Sequence, residues 1–399
     1  MKPYVSINRK KAFLVLLYFT WPLLLTGCWD RIETNELAIV LTTAIDKSKD
    51  QTKVSIQVLI PQGGEGNKQH GASGGDKTTI VRTALGKSIT DAMSKIQAKI
   101  SRELFWGQCR VYIFGEEVAK EGLHDEIDFL VRHPEPRNRS YLFVSEGEAA
   151  HLLTIQSPLE GYLGKSLRKL ADERESAVIT LKDFQQMITG EAGGAILPYI
   201  NTKNFEQIEE KETFGPIFKT SIFERDKMIG KIDEKMTKGV LWLRNEILEA
   251  VVSVKPQNEK GTITMELTQG QTDIVPKIEN NKWKITANIR TEGSIVENST
   301  DLDVMKPEIN KMLQKKLAKV IQQRINQTLE EVQKGMKADV FHFAEAFERK
   351  YPNKWDKAKT KWDKIFPQVE VDLDIKTYVR RPGLGTRPAG LPKQEEEKK

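Results

Sequence analysis

The sequence predicts an α/β (α+β) protein in several domains: an N-terminal α/β domain with a mixed sheet, a small middle domain, and a C-terminal antiparallel sheet packed on one long helix. Three observations carry this. In the first half, short runs rich in β-formers alternate with stretches of helical period, the pattern of strands joined through crossover helices. Beyond residue 195 that alternation gives way to short extended runs. Late in the chain, Ile309, Leu313, Leu317, Val320, Ile321, Ile325, Leu329 and Val332 make one apolar stripe at helical spacing. At 399 residues the chain is long enough for two or three domains. The expected divisions are a leader at 1–27, the N-terminal domain at 28–195, the middle domain at 196–250, the C-terminal domain at 251–380 and a disordered tail at 381–399.

The leader opens with a basic cap, Lys2, Arg9, Lys10 and Lys11, followed by an uncharged apolar run from Ala12 to Leu25. About 14 residues suit the h-region of a secretion signal and fall short of the ~20 that cross a bilayer as a helix. The run ends in Leu25-Thr26-Gly27-Cys28, the arrangement of a bacterial lipobox: a leucine three residues ahead of a cysteine, then two small residues. Cys28 is therefore the expected lipidation site, an S-diacylglycerol cysteine that becomes N-terminal on cleavage. Two acyl chains, at ~0.8 kcal/mol per buried methylene, anchor a protein stably where one chain does not. An ordinary cleaved signal with a chance cysteine, or an uncleaved anchor helix, is the alternative.

Composition narrows the classes. The formal charge is +6, and removing the four leader cations leaves +2, so no basic footprint calls for nucleic acid. Charged residues make up 30% of the chain, and no stretch after Cys28 is long and apolar enough to span a membrane. There are two cysteines; if Cys28 is acylated, Cys109 has no intrachain partner and no disulfide framework forms.

Element by element, Glu36 to Asp46 and Val54 to Ile60 read as neighbouring strands, and Pro61 to Asp76, with six glycines, as a mobile loop. A strand at Thr78 to Val81 precedes an amphipathic helix carrying Leu85, Ile89, Ala92, Met93, Ile96 and Ile100. Gln108 to Phe114 is a buried strand that takes in Cys109 as a core residue. Glu116 to Arg132 is one helix, stopped before His133-Pro134 because the residue preceding proline is driven from the α region. Tyr141 to Ser145 is a strand, Glu146 to Leu153 a short helix, and Gly161 to Ala192 mainly helical. Ile196 to Ile200, Pro216 to Ile222 and Lys227 to Lys231 supply the strands of the middle domain. Val251 to Val254, Gly261 to Gln269 and Trp283 to Thr291 are extended, followed by the long helix over 304–336 with Pro307 in its first turn, where a missing donor costs nothing. Helices at Asp339 to Lys350 and Lys354 to Ile365 and a strand at Val369 to Tyr378 close the fold. Trp355 and Trp362, seven apart, share one helical face and are expected to pack under that last strand.

The expected list of catalytic residues, metal ligands and cofactors is empty. Gly86-Lys87-Ser88 and Gly164-Lys165-Ser166 end like phosphate loops but have Val81 and Leu159 where the leading glycine belongs. His70, His124, His133, His151 and His342 are scattered without the spacing of a zinc site. His342 and Glu345 lie on one helical face, but two ligands without a third do not hold a metal. No serine stands in a nucleophile elbow.

Several segments, taken in order, resemble one family. Cys28-Trp29-Asp30-Arg31-Ile32-Glu33 with Leu37-Ala38-Ile39-Val40 looks like the start of the Ger(x)C lipoproteins, the C subunits of germinant receptors in spore-forming bacteria. Phe105-Trp106-Gly107-Gln108-Cys109-Arg110, Gly194-Ala195-Ile196-Leu197-Pro198-Tyr199, Phe218-Lys219 with Met228-Ile229-Gly230, Ala338-Asp339-Val340-Phe341 and Tyr351-Pro352-Asn353-Lys354-Trp355 fall where that family places similar residues. Phe341-His342-Phe343-Ala344 departs from the family's usual glycine-containing Phe-Gly-Phe-Gly. The resemblance implies a three-domain, non-enzymatic, lipid-anchored subunit on the outer face of the spore inner membrane. It implies as partners the integral membrane A-type and B-type receptor subunits, in a complex that responds to nutrient germinants. A solute-binding lipoprotein of an importer shares the anchor but would show two doubly wound lobes around a cleft; an anchored hydrolase would show a catalytic constellation.

Overall fold

The computed structural model describes residues 36–60, 78–155, 157, 160–173, 176–201, 218–247, 250–256 and 259–381. The leader, Cys28, the glycine-rich run at 61–76 and the tail from 382 lie outside the described residues.

The first sheet has nine strands. They are β1 (Leu37–Ser48), β2 (Gln51–Leu59), β3 (Thr79–Gly86), β4 (Glu103–Phe105), β5 (Val111–Gly115), β6 (Tyr141–Ser145), β7 (Gly194–Ile200), β8 (Phe218–Glu224) and β9 (Lys227–Ile232). Their order is β3-β2-β1-β5-β6-β7-β8-β9, with β4 beside the start of β1. β1, β5, β6 and β7 are parallel, and antiparallel pairs flank them on both sides, so the sheet is mixed as expected. Buried parallel strands read as continuous apolar runs because both faces are covered. Tyr112 and Phe114 of β5 belong to one core and Val111 and Ile113 to the other. Helices α1 (Ile89–Gln97), α2 (Glu116–Glu121), α3 (His124–Arg132) and α5 (Leu181–Thr189) bury apolar residues in the first core; α4 (Leu163–Asp172) and a 3-10 turn at Ala149–Thr154 cover the second.

Two expectations need correction here, and one helix is additional. Glu116 to Arg132 is two helices, because Gly122 between them adopts φ 128°, which favours glycine and ends α2. The strands assigned to a middle domain form no sheet of their own: β7 pairs with β6, and β8 and β9 extend the same sheet. A helix not foreseen, α6 (Glu234–Leu243), follows them. It buries Thr237 to Leu243 without a break and so lacks the polar face that would have marked it.

The second sheet runs β10 (Ala250–Val254), β11 (Ile263–Glu279), β12 (Lys282–Asn298), β13 (Glu370–Arg381). β11 and β12 are 17 residues each, joined at Asn280-Asn281 with φ 48° and 60°, the mirror-image turn that matches strand twist. The sheet is not wholly antiparallel, because β13 lies parallel to β12. The chain leaves β12, crosses through α7 (Pro307–Thr328) and returns, and only such a long crossover brings a strand back in the same direction. α7 buries Leu313, Leu317, Ile321 and Ile325 and exposes Lys311, Lys315, Lys319, Gln322 and Asn326. Its last part differs from the single α-helix expected. From Leu329 to Met336 it widens to π, beginning where Thr328 Oγ1 donates to Met236 O (3.0 Å) in the closely packed α6.

Candidate functional site

Three of the segments that carried the resemblance, around Gly194, Asp339 and Trp355, meet at the joint between the two sheets, and Asp339 is its centre. The carboxylate is buried and accepts from the amides of Phe341 (3.2 Å), Phe343 (3.2 Å) and Ala344 (2.8 Å) and from Trp362 Nε1 (3.0 Å). It thereby tethers the start of α8 (Phe343–Lys350), whose first-turn amides have no partner within the helix. Burial, and then the charge of Glu345, push the Asp339 carboxyl up to about 6 against the pull of its donors. Gly194, at the start of β7, lies against this turn, and a Cβ there would come within 2.4 Å of Asp339 O.

Further links cross the joint. Trp355, in α9 (Pro352–Ala358), donates through Nε1 to Glu191 Oε2 (2.8 Å), and Glu345 Oε1 accepts from Ala192 N (3.3 Å). Trp355 and Trp362 do not lie merely under β13. With Trp283 and Phe347 they build an edge-to-face aromatic cluster, the Trp355 and Trp362 centroids 5.0 Å apart, and Phe366 packs tilted against Trp362. Arg244, at the end of α6, donates to Val340 O (2.9 Å).

A second buried polar group lies in the first sheet. Tyr199 OH donates to Glu116 Oε2 (2.8 Å) and accepts from Lys231 Nζ (2.8 Å). Burial works to raise the Glu116 carboxyl, but Lys120, Tyr199 and Lys231 hold it below its usual range. A cleft of about 420 Å³ opens at the carboxyl ends of the parallel strands, with Asp46, Lys47, Glu121, Asp125, Glu126 and Asp226 on its walls. Asp46 is 2% exposed, accepts from Ala149 N (2.6 Å) and Ala150 N (2.9 Å), and has its pKa raised by burial. Lys47 pairs with Glu121 at 2.8 Å.

These arrangements hold backbone and aromatic surface in place; they do not assemble a nucleophile with a base. Cys109 is buried, its Sγ 3.3 Å from Thr43 Oγ1, and burial pushes the thiol up to about 11. Among the described residues no group of three His, Cys, Asp or Glu could hold a metal. His133 stacks on Phe129, His151 stands 3.9 Å from Glu148, and His342 stands 3.8 Å from Glu345. His124 lines the cleft, and His70 lies outside the described residues. The two Gly-Lys-Ser triplets are structural: Ser88 caps α1, and Gly164 packs on the Thr42 side chain. Among the described residues no helix is long and apolar enough to cross a membrane. Sequence reading missed both polar centres: three of the four donors to Asp339 lie within five residues of it but converge only through the turn before α8, and the partners of Tyr199 come from remote segments. The one local signal was an aspartate just ahead of a helix start.

Comparison with known proteins agrees across both halves. Residues 30–202 match the family model described as spore germination protein N-terminal domain, and residues 219–383 the one described as spore germination B3/GerAC like, C-terminal. The putative spore germination protein YfkR of Bacillus subtilis (strain 168) is 29% identical over 366 residues, covering 92% of this chain and 95% of its own. Spore germination protein KC of the same organism is 26% identical over 398 residues, covering 95% and 98%. The crystal structure of the GerBC protein superposes with a TM-score of 0.51 at 20% identity, over 85% of this chain and 96% of that one, which establishes the shared fold. Matched in sequence along both halves and in fold over most of its length, the chain belongs to the Ger(x)C family of spore germination proteins.

Proposed function

We propose that this protein is a lipid-anchored, non-enzymatic subunit of a spore germinant receptor, acting in the response of spores to nutrient germinants. It is held on the outer face of the spore inner membrane through Cys28 and works beside integral A-type and B-type subunits. The observation that carries the reading is the agreement of both family matches with a chain that also has Leu25-Thr26-Gly27-Cys28 after a basic cap and an apolar run. Its buried polar centres support a scaffold rather than a catalyst, since Asp339 and Tyr199 spend their hydrogen bonds on the fold itself. The importer reading loses ground because the second sheet, four strands with one long helix, is no copy of the first.

Two measurements test this. Palmitate labelling with membrane fractionation is expected to fail for Cys28→Ala, because losing both acyl chains abolishes stable attachment; equal labelling and retention would remove the anchor. Co-purification from detergent-solubilised spore membranes is expected to bring down integral receptor subunits, and recovery without them would remove the receptor role.

A further inference from the structure

The first sheet carries opposite charge at its two ends. The cleft at the carboxyl ends is acidic, with Asp46, Asp50, Glu121, Asp125, Glu126 and Asp226 against Lys47 and Lys87. At the amino ends stand arginines. Arg102 immediately precedes β4, whose Glu103 pairs with Leu37 at the start of β1. Arg110 precedes β5 and its amide donates to Leu41 O (3.3 Å), while Arg137 and Arg139 lie in the turn before β6. The charges are close enough that Arg137 and Arg168, after burial, pull the Arg110 guanidinium below its usual range. Of the nearby acids, Glu135 accepts from Trp106 N (2.8 Å), and Asp172 accepts from Tyr141 OH (2.6 Å) and stands 3.7 Å from Arg168, while Glu36 and Glu103 are exposed on the same rim and offset part of its charge.

Among the described residues, Arg110 Nε and Arg102 Nη1 are buried donors with no acceptor, on side chains that are half-buried as a whole. Folded proteins satisfy such donors in the great majority of cases, and half-exposed guanidinium groups with donors to spare beside like charges favour an anion. The place of this rim in the chain says which anion. β1 begins at Leu37, nine residues after Cys28, and nine residues span at most about 30 Å. On the anchored reading, a lipid on Cys28 therefore keeps the amino-end rim near the membrane, with the acidic cleft at the opposite end of the strands.

We infer that Arg102, Arg110, Arg137 and Arg139 form a docking surface for the phosphate headgroups of an anionic membrane, which orients the first sheet upright on its lipid tether. Basic residues at such a surface contribute about fivefold in membrane affinity each, and the attraction falls off within a Debye length. The inference rests on the proposed anchor for its geometry, but the rim can be tested without it.

The test uses the mature chain from residue 28 carrying Cys28→Ala, without the basic and apolar leader, floated with phosphatidylglycerol vesicles and with phosphatidylcholine vesicles at low and high salt. Adding Arg137→Ala and Arg139→Ala, both exposed, is expected to weaken phosphatidylglycerol binding on the order of 25-fold while phosphatidylcholine binding stays the same. Arg102→Ala with Arg110→Ala should do likewise, with thermal melts reporting that the fold is kept. The control removes as many or more positive charges elsewhere, Lys311→Ala, Lys315→Ala and Lys319→Ala on α7, and is expected to leave binding unchanged. Equal losses from rim and control, or no loss from the rim, would overturn the inference. So would rim variants that float normally but lose co-purifying receptor subunits, which would give the surface to an acidic protein. Palmitate labelling of the unaltered chain reads the anchor by itself, so failure of the anchor and failure of the rim give different results.

Discussion

Asp339 titrates at about 6 in the fold against 3.8 for the free side chain. Between those values the folded chain holds a proton that the unfolded chain has lost, so this group's contribution to stability falls as pH rises from about 4 to about 6. A shift of that size corresponds to about 3 kcal/mol. Asp339→Asn removes the titration, and the stability difference between the unaltered chain and the variant should narrow or reverse by that order across the window; parallel curves from denaturant melts would show that Asp339 does not titrate there. His342 adopts φ 61°, a left-handed conformation, at a position where the family resemblance places glycine. His342→Gly should keep or raise the melting temperature. His342→Val should lower it, at a cost of about 1–2 kcal/mol in stability, because a branched Cβ crowds the following carbonyl in that conformation. The reverse order would mean that the 3.8 Å contact with Glu345 outweighs the backbone strain.

Among elements, α7 decides the second body. Leu317 is fully buried, and Leu317→Asp places an unpaired carboxylate in the core at a cost of several kcal/mol, against a total stability of ~5–15 kcal/mol. Thermal melts should show loss of the second body, whereas Gln322→Ala and Asn326→Ala, on the exposed side, should leave them unchanged. A tolerated Leu317→Asp would mean that the stripe finds its apolar contact only in an assembled complex. The first sheet shows why helices are read from sequence more securely than their interruptions. The apolar spacing of α2 and α3 runs on across Gly122, and the break follows from one backbone angle.

Across the whole molecule, the halves interlock. The second family match begins at residue 219, yet β8 and β9, which it contains, complete the first sheet. Asp339, Trp355 and Glu345 then pin the second half to the segment just before β7 and to Gly194. Gly194→Ala forces a Cβ to within 2.4 Å of a backbone oxygen that cannot rotate away. We expect at least the ~1–3 kcal/mol of an overpacked core, with a shift in tryptophan emission as Trp355 and Trp362 loosen. A variant that melts and emits like the unaltered chain would show that the joint is loose.

The periodicities of 2 and 3.6 residues were enough to place nearly every strand of both sheets and the stripe of α7, because apolar spacing is a local property of the chain. The lipobox marked Cys28 as the one residue with expected chemistry, since such a motif is also read along the chain. Which strand lies beside which is not local. The passage of β8 and β9 into the first sheet, the parallel pairing of β13 with β12 and the burial of α6 on all sides depend on how distant surfaces meet. The same holds for function-bearing geometry: Asp339 among its four donors and the arginines at the amino ends of β4, β5 and β6 are ordinary polar residues in the sequence. Only the packed sheet gathers them, because a buried donor or charge finds its partner through space.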